Sequence, residues 1–167
     1  MKAQEVYKYI GTMNKKINDA IAKDTSKVHF GGHKELLAAV ASIEEFYDLS
    51  YAPEAEVKRP QIMNIMINAM LEEQSKEQII QLLKNKGLNE EDALKVSFTE
   101  GQRIKNLADW YEYYGAGYKS FSIECAEDPC EKCEEAYKDG EKYPIEQLNM
   151  LPPLHGECRC DLMFYRK

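Results

Sequence analysis

Residues 125 to 160 read CAEDPCEKCEEAYKDGEKYPIEQLNMLPPLHGECRC, and they contain all five cysteines of the chain and one of its three histidines. Two ligand pairs lie within this stretch, Cys130-x2-Cys133 and His155-x2-Cys158, separated by 21 residues. Zinc takes four cysteine or histidine ligands at tetrahedral corners, and two residues between ligands let one turn direct both side chains at one ion. Two such turns close a site. The stretch therefore predicts a structural zinc site whose ligands are Cys130, Cys133, His155 and Cys158.

Two further cysteines lie close to these ligands. Cys160 follows Cys158 by two positions, and we expect one of the two to bind the metal while the other packs in the core. Cys158 is preferred because it completes His-x-x-Cys, and Cys160 is kept as the alternate ligand. Cys125 is expected to be a small core residue, because buried cysteine behaves as a small hydrophobic side chain.

A redox Cys-x-x-Cys is the rival interpretation of the first pair, and the surrounding charge opposes it. Negative neighbours raise a thiol pKa, whereas reactive cysteines need positive surroundings. A bound cation reverses this effect, because it deprotonates its thiol ligands. The pair has one basic neighbour, Lys132, and is surrounded by the acidic residues Glu124, Glu127, Asp128, Glu131, Glu134 and Glu135. The acidic neighbours thus favour a metal site.

The last ten residues of the stretch, LPPLHGECRC, resemble the Pro-Pro-x-His-Pro-x-Cys-Arg-Cys signature of tailed-phage minor head proteins, the head-morphogenesis family named after phage Mu. Members show a Thr-Glu pair on a helix, a strand after a glycine, a Cys-x-x-Cys, a glycine turn and the signature, in that order. The same order here is Thr99-Glu100, Gly115 to Gly117 before the segment 118–123, Cys130 with Cys133, and Asp139-Gly140. The resemblance covers roughly residues 98 to 162.

Three positions depart from the family pattern. Gly156 stands where the family usually has proline, Glu157 where asparagine is common, and Phe121 where a tryptophan is frequent. No resemblance covers the first 90 or so residues of the chain, and their role is open.

The resemblance implies a phage or prophage minor head protein that acts in head morphogenesis or in DNA packaging or ejection. It would be made in the bacterial cytoplasm and be located in the virion, in the capsid interior or at the portal. The expected partners are portal or capsid proteins, and other copies of the chain. The alternative function is that of a free-standing, zinc-stabilised phage protein that binds and regulates a host factor.

Composition and motifs exclude several other classes. A formal net charge of −7 and a pI near 5.1 make direct nucleic-acid binding unexpected, because such domains gather Lys and Arg on one face. The most apolar window, residues 62–71, is about half of the ~20 residues that span a bilayer, so no membrane association is expected. The sequence has no glycine-rich phosphate loop, nucleophile elbow or His-Glu-x-x-His, which favours a structural role over an enzymatic one.

The apolar periodicity predicts an α+β protein with two parts. Residues 1–88 form a helical region of unknown role, and residues 89–167 form a helix followed by a small Cys/His β unit pinned by zinc. Alternation in the second part predicts strands at 118–123, 142–145 and 161–165, with a short helical turn at 131–137.

The helices carry local signals of their own. Ser75 and Gln78 match a capping box, and Asn89 opens a long helix that runs to Gly115. Gly101 inside this helix predicts a kink or a close helix contact. The aromatic run 110–114 near its end is expected to pack against the cysteine unit.

Overall fold

The structure is a computed structural model of the chain, and it describes residues 2–23, 33–43, 49–124, 131–137, 140–153 and 160–167. These residues are mainly helical and include one small antiparallel sheet near the C-terminus, which confirms the α+β class. The elements are α1 (Ala3–Ala22), α2 (His33–Ala41), α3 (Pro53–Val57), α4 (Arg59–Leu71), α5 (Lys76–Asn85), α6 (Glu90–Gly115), β1 (Ser120–Glu124), α7 (Glu131–Ala136), β2 (Tyr143–Pro144), a 3-10 turn (Leu148–Met150) and β3 (Asp161–Tyr165).

The chain forms two compact units. The helical unit comprises Lys8–Ser97, and the sheet unit comprises Met1–Tyr7 together with Phe98–Lys167. Two helices, α1 and α6, contribute residues to both units. The two described cysteines, Cys133 and Cys160, belong to the sheet unit.

The core of the helical unit is built around α4. This helix packs against α2, α3 and α5, which explains why its sequence is apolar on nearly every side. Its buried residues are Ile62, Met63, Ile65, Met66 and Ala69. Two methionines, Met63 and Met66, are thus core residues.

The ends of α5 follow from local hydrogen bonds. The Ser75 hydroxyl accepts from the backbone N–H of Gln78 at 3.2 Å, and the Gln78 side chain accepts from the Ser75 N–H at 2.8 Å. This confirms the predicted capping box. At the other end Gly87 has φ +98°, the left-handed conformation that a glycine adopts without strain after a helix.

Helix α6 runs without interruption for 26 residues, from Glu90 to Gly115. Its start is capped as predicted, because the Asn89 Oδ1 accepts from the backbone N–H of Asp92 at 2.8 Å. Of the two alternatives predicted at Gly101, a kink or a close helix contact, the close contact is not found among the described residues: apart from its flanking residues and its own helix backbone, a Cβ here would meet none of their heavy atoms within 4 Å. Leu94, near the start of this helix, is 44% exposed.

The sheet has the strand order β2-β1-β3, with both pairings antiparallel. Phe121 lies opposite Tyr143 on one side and Phe164 on the other, and Ile123 lies opposite Leu162. Alternation along the strands therefore places these apolar residues on one face, where they form the core of the sheet unit. All three predicted strands are confirmed, with β2 shorter than predicted.

Candidate metal centre

The predicted zinc ligands are only partly within the described residues. Cys133 is described, and so is the alternate ligand Cys160. Cys130, His155 and Cys158 lie outside the described residues, so the four-ligand site remains a prediction. In the ranges that the structure does describe, no group of three or more His, Cys, Asp or Glu residues is arranged to hold a metal ion.

Cys133 and Cys160 are buried in the same hydrophobic cluster. Cys133 is the third residue of α7 and is 1% exposed, while Cys160 directly precedes β3 and is 2% exposed. The other buried members of the cluster come from the inner face of the sheet and from its surroundings: Phe121, Ile123, Tyr137 and Tyr143. Cys133 of the first cysteine pair and Cys160 at the end of the final run thus lie in one core.

Helix α6 carries three side-chain N–H donors at every fourth position, which places them on one face. Each donates to a main-chain carbonyl in a different segment of the sheet unit, and we refer to the three bonds as the carbonyl ladder. They are Gln102 Nε2 to Cys160 O at 2.9 Å, Asn106 Nδ2 to Pro152 O at 3.0 Å, and Trp110 Nε1 to Ile145 O at 2.7 Å. A single helix therefore anchors three separate loop segments.

Two bonds of the carbonyl ladder hold the flanks of the segment that contains His155 and Cys158. Pro152 precedes this segment and Cys160 follows it. The side chains that bind these two carbonyls lie one helical turn apart, about 6 Å along the helix axis. Fixing both flanks on adjacent turns removes part of the entropy cost of closing the loop before any metal binds.

The Thr-Glu pair of α6 is fully buried. Both Thr99 and Glu100 have 0% exposure, and the Glu100 carboxylate lies 3.4 Å from the Arg103 guanidinium one turn further along. A buried carboxylate is costly unless it is paired with a cation and hydrogen-bonded. The pair thus belongs to the interior of the molecule, and Arg103 offsets part of its charge.

The aromatic run of α6 contacts the sheet unit as predicted. Trp110 is fully buried, and the Tyr113 ring stacks on Phe164 with ring centroids 4.3 Å apart. Tyr111 stacks on Tyr7 of α1 at 4.6 Å. Burial raises the pKa of the Tyr111 phenol, and the charge and hydrogen bond of Tyr7 raise this pKa further.

Sequence reasoning missed the carbonyl ladder. The available signal was the spacing of Gln102, Asn106 and Trp110, which are N–H donors four residues apart on the predicted helix. The spacing indicates that the three donors lie on one face of the helix, but it does not identify their hydrogen-bond acceptors. Those acceptors are carbonyls 35 to 58 residues away in sequence.

Comparison of the chain with protein-family models, with curated proteins and with solved structures finds no match. A search of the described residues for membrane spans finds no helix with the length and apolar character to cross a bilayer. The chemistry of the centre therefore has to be argued from its own residues.

Proposed function

We propose that the chain is a phage or prophage minor head protein, associated with the capsid or portal, whose sheet unit carries a structural zinc site. Its role is in head morphogenesis or in DNA packaging or ejection, and it is structural rather than enzymatic. The observation that supports this most is the burial of Cys133 and Cys160 in one cluster, since these residues come from the two separate motifs of the sequence signature.

The arrangement of the other signature positions is compatible with the proposal. Thr99 and Glu100 are interior residues of α6, and Gly117, with φ +84°, turns the chain from this helix toward β1. Gly140, with φ +72°, lies in the turn that precedes β2. Gly117 and Gly140 thus occupy conformations that favour glycine over other residues.

In this proposal zinc is held by Cys130, Cys133, His155 and Cys158, with Cys160 as the alternate fourth ligand. A closed set of four protein ligands supplies folding stability and leaves no position for a reacting water. The burial of Cys133 fits this chemistry, because structural zinc sites are enclosed by the core that they stabilise. The carbonyl ladder fits it as well, because it holds the flanks of the second ligand pair.

The zinc site is tested by native mass spectrometry of the purified, reduced protein. We expect one zinc per chain, its loss in Cys130→Ser and in Cys133→Ser, and its retention in Cys125→Ser as the matched control. Comparison of Cys158→Ser with Cys160→Ser identifies the fourth ligand. Metal-free protein in the reduced state, or equal zinc content in all of these variants, would refute the site.

The role in the head is tested separately. Bacteria that produce the phage are treated with a crosslinker, the tagged chain is purified, and its partners are identified alongside the protein content of purified virions. We expect the portal or capsid protein as partner and the chain itself in the virion. Absence from the virion together with capture of a host enzyme would instead support a protein that regulates a host factor.

A further inference from the structure

The strand β3 is an edge strand with an apolar sequence. It pairs with β1 on one side, and within the described ranges no strand lies on its other side. An exposed edge presents unpaired N–H and C=O groups, and proteins usually protect such edges with lysine, proline or a bulge. The residues Asp161 to Tyr165 have neither lysine nor proline, and Met163 at their centre is 43% exposed.

The outer face of the sheet, opposite the hydrophobic cluster, is acidic at one end. This face carries alternate residues of β1 and β3: Ser120, Ser122, Glu124, Asp161, Met163 and Tyr165. Glu124 lies directly opposite Asp161, and both are exposed. Like charges directly opposite each other in a sheet are unfavourable, so this end attracts a cation.

The other end of the same face is basic. The Lys142 ammonium lies over the Tyr165 ring, 4.0 Å from its centroid, and the Tyr165 hydroxyl is 2.9 Å from that of Ser122. Arg166 and Lys167 follow directly after β3 and are exposed. Along the edge strand the charge therefore changes from negative at Asp161 to positive beyond Tyr165.

We propose that β3 pairs with β3 of a second copy of this chain, antiparallel and about a two-fold axis at Met163. In this register Met163 faces its own counterpart, and Leu162 lies opposite Phe164 of the second copy. Asp161 lies opposite Tyr165 of the second copy, next to Arg166 and Lys167 of that copy. The interface is isologous, and the two sheets continue as one.

The distribution of charge along β3 favours pairing with a second copy of the chain over pairing with an unrelated strand. An antiparallel two-fold pairing brings each acidic end beside a basic end, whereas a parallel pairing would place like charges together. The apolar centre is complementary to itself, because an exposed methionine packs on a methionine. A five-residue strand buries less area than a standard interface, so the dimer forms in a concentration-dependent equilibrium.

Sedimentation velocity over a concentration series tests the pairing, with reducing agent present to exclude intermolecular disulfides. We expect the wild type to dimerise and both Met163→Lys and Met163→Glu to be monomeric, because each places two like charges at the two-fold axis. An equimolar mixture of the two variants should form a heterodimer, since only a residue that faces itself gives this result.

The matched controls are Leu94→Lys and Leu94→Glu, which change a residue of the same exposure, 44%, in the helical unit. Both should dimerise like the wild type. Far-ultraviolet circular dichroism checks that all variants remain folded. A wild type that is monomeric throughout the series would overturn the proposal, as would Met163 variants that dimerise alone or a mixture that stays monomeric. None of these outcomes depends on zinc or on the role in the head.

Discussion

Gly101 lies in the interior of α6, where a glycine costs roughly 0.5–1 kcal/mol relative to alanine. Apart from its two flanking residues and the backbone of its own helix, no heavy atom of the described residues lies within 4 Å of the position that a Cβ would take. We therefore expect Gly101→Ala to raise the free energy of unfolding by about 0.5–1 kcal/mol. Urea denaturation followed by the fluorescence of Trp110, the single tryptophan, measures the change.

Gly117 provides the matched control for this prediction. Its Cβ position is equally open, but its φ is +84°, which a side chain rarely adopts. Gly117→Ala should therefore lower the free energy of unfolding by about 1 kcal/mol. A loss of stability in Gly101→Ala as well would contradict the open environment seen at that position.

Tyr111 gives the protein a specific response to alkaline pH. Its pKa is raised above the ordinary value of 10.0 by burial and by Tyr7, so the folded state holds the phenol proton more tightly than the unfolded chain does. The resulting stability is fully present below about pH 10 and is lost as the pH rises through the folded-state pKa. Tyr111→Phe should therefore lose less thermal stability than the wild type as the pH rises above about 10.

The control for the alkaline response is Tyr113→Phe, which removes a phenol from the same helix but leaves Tyr111 and Tyr7 stacked. Thermal denaturation midpoints of the three proteins are compared at each pH. A Tyr113→Phe variant with the same flattened profile as Tyr111→Phe would show that the response is not specific to Tyr111.

Among the secondary-structure elements, those with local signals could be predicted from the sequence. The capping box of α5 joins residues three positions apart, and the strands follow from alternation over five or six residues. The carbonyl ladder could not be predicted, because Gln102 and Asn106 bind carbonyls 58 and 46 residues away. The spacing of residues in the sequence predicts which side chains share one face of a helix. Which segment packs on that face depends on the tertiary fold.

Asn106 is the buried member of the carbonyl ladder whose side chain can be changed most conservatively. Asn106→Leu keeps the branched shape and the number of side-chain heavy atoms but leaves the Pro152 carbonyl without this donor, at a cost of about 1–3 kcal/mol in folding stability. If the bond also pre-orders the flank of the second ligand pair, a loss of about 1 kcal/mol corresponds to roughly fivefold weaker zinc binding. Competition with a chromogenic chelator measures this affinity.

Ser75→Ala is the control that separates stability from zinc affinity. It removes the cap of α5 and should cost about 1 kcal/mol in stability, but it lies in the helical unit, whereas the described cysteines, Cys133 and Cys160, belong to the sheet unit. Its zinc affinity should equal that of the wild type. A similar loss of affinity in both variants would mean that zinc binding follows overall stability and not the hydrogen bond to Pro152.

For the whole molecule, the sequence indicated an α+β chain with the cysteines in its C-terminal part, while two features depended on the structure. The first seven residues, Met1–Tyr7, belong to the sheet unit, where Tyr7 stacks on Tyr111. The compact units divide between Ser97 and Phe98, inside α6, because one continuous helix serves both. Contacts between residues more than a hundred positions apart leave no periodic signal in the sequence.

The division into units gives zinc removal a localised expected effect. Metal binding to a structural site is coupled to the folding of the core around it, and the described candidate ligands, Cys133 and Cys160, lie in the sheet unit. We expect a chelator to change the fluorescence of Trp110 and to speed hydrogen exchange in β1 and β3, while α4 and α5 keep their protection. Magnesium-saturated chelator serves as the control, and added zinc should restore the native signals. Equal loss of protection in both units would instead show that the metal stabilises the whole chain as one cooperative unit, and unchanged exchange would show that the cysteine cluster is stable without it.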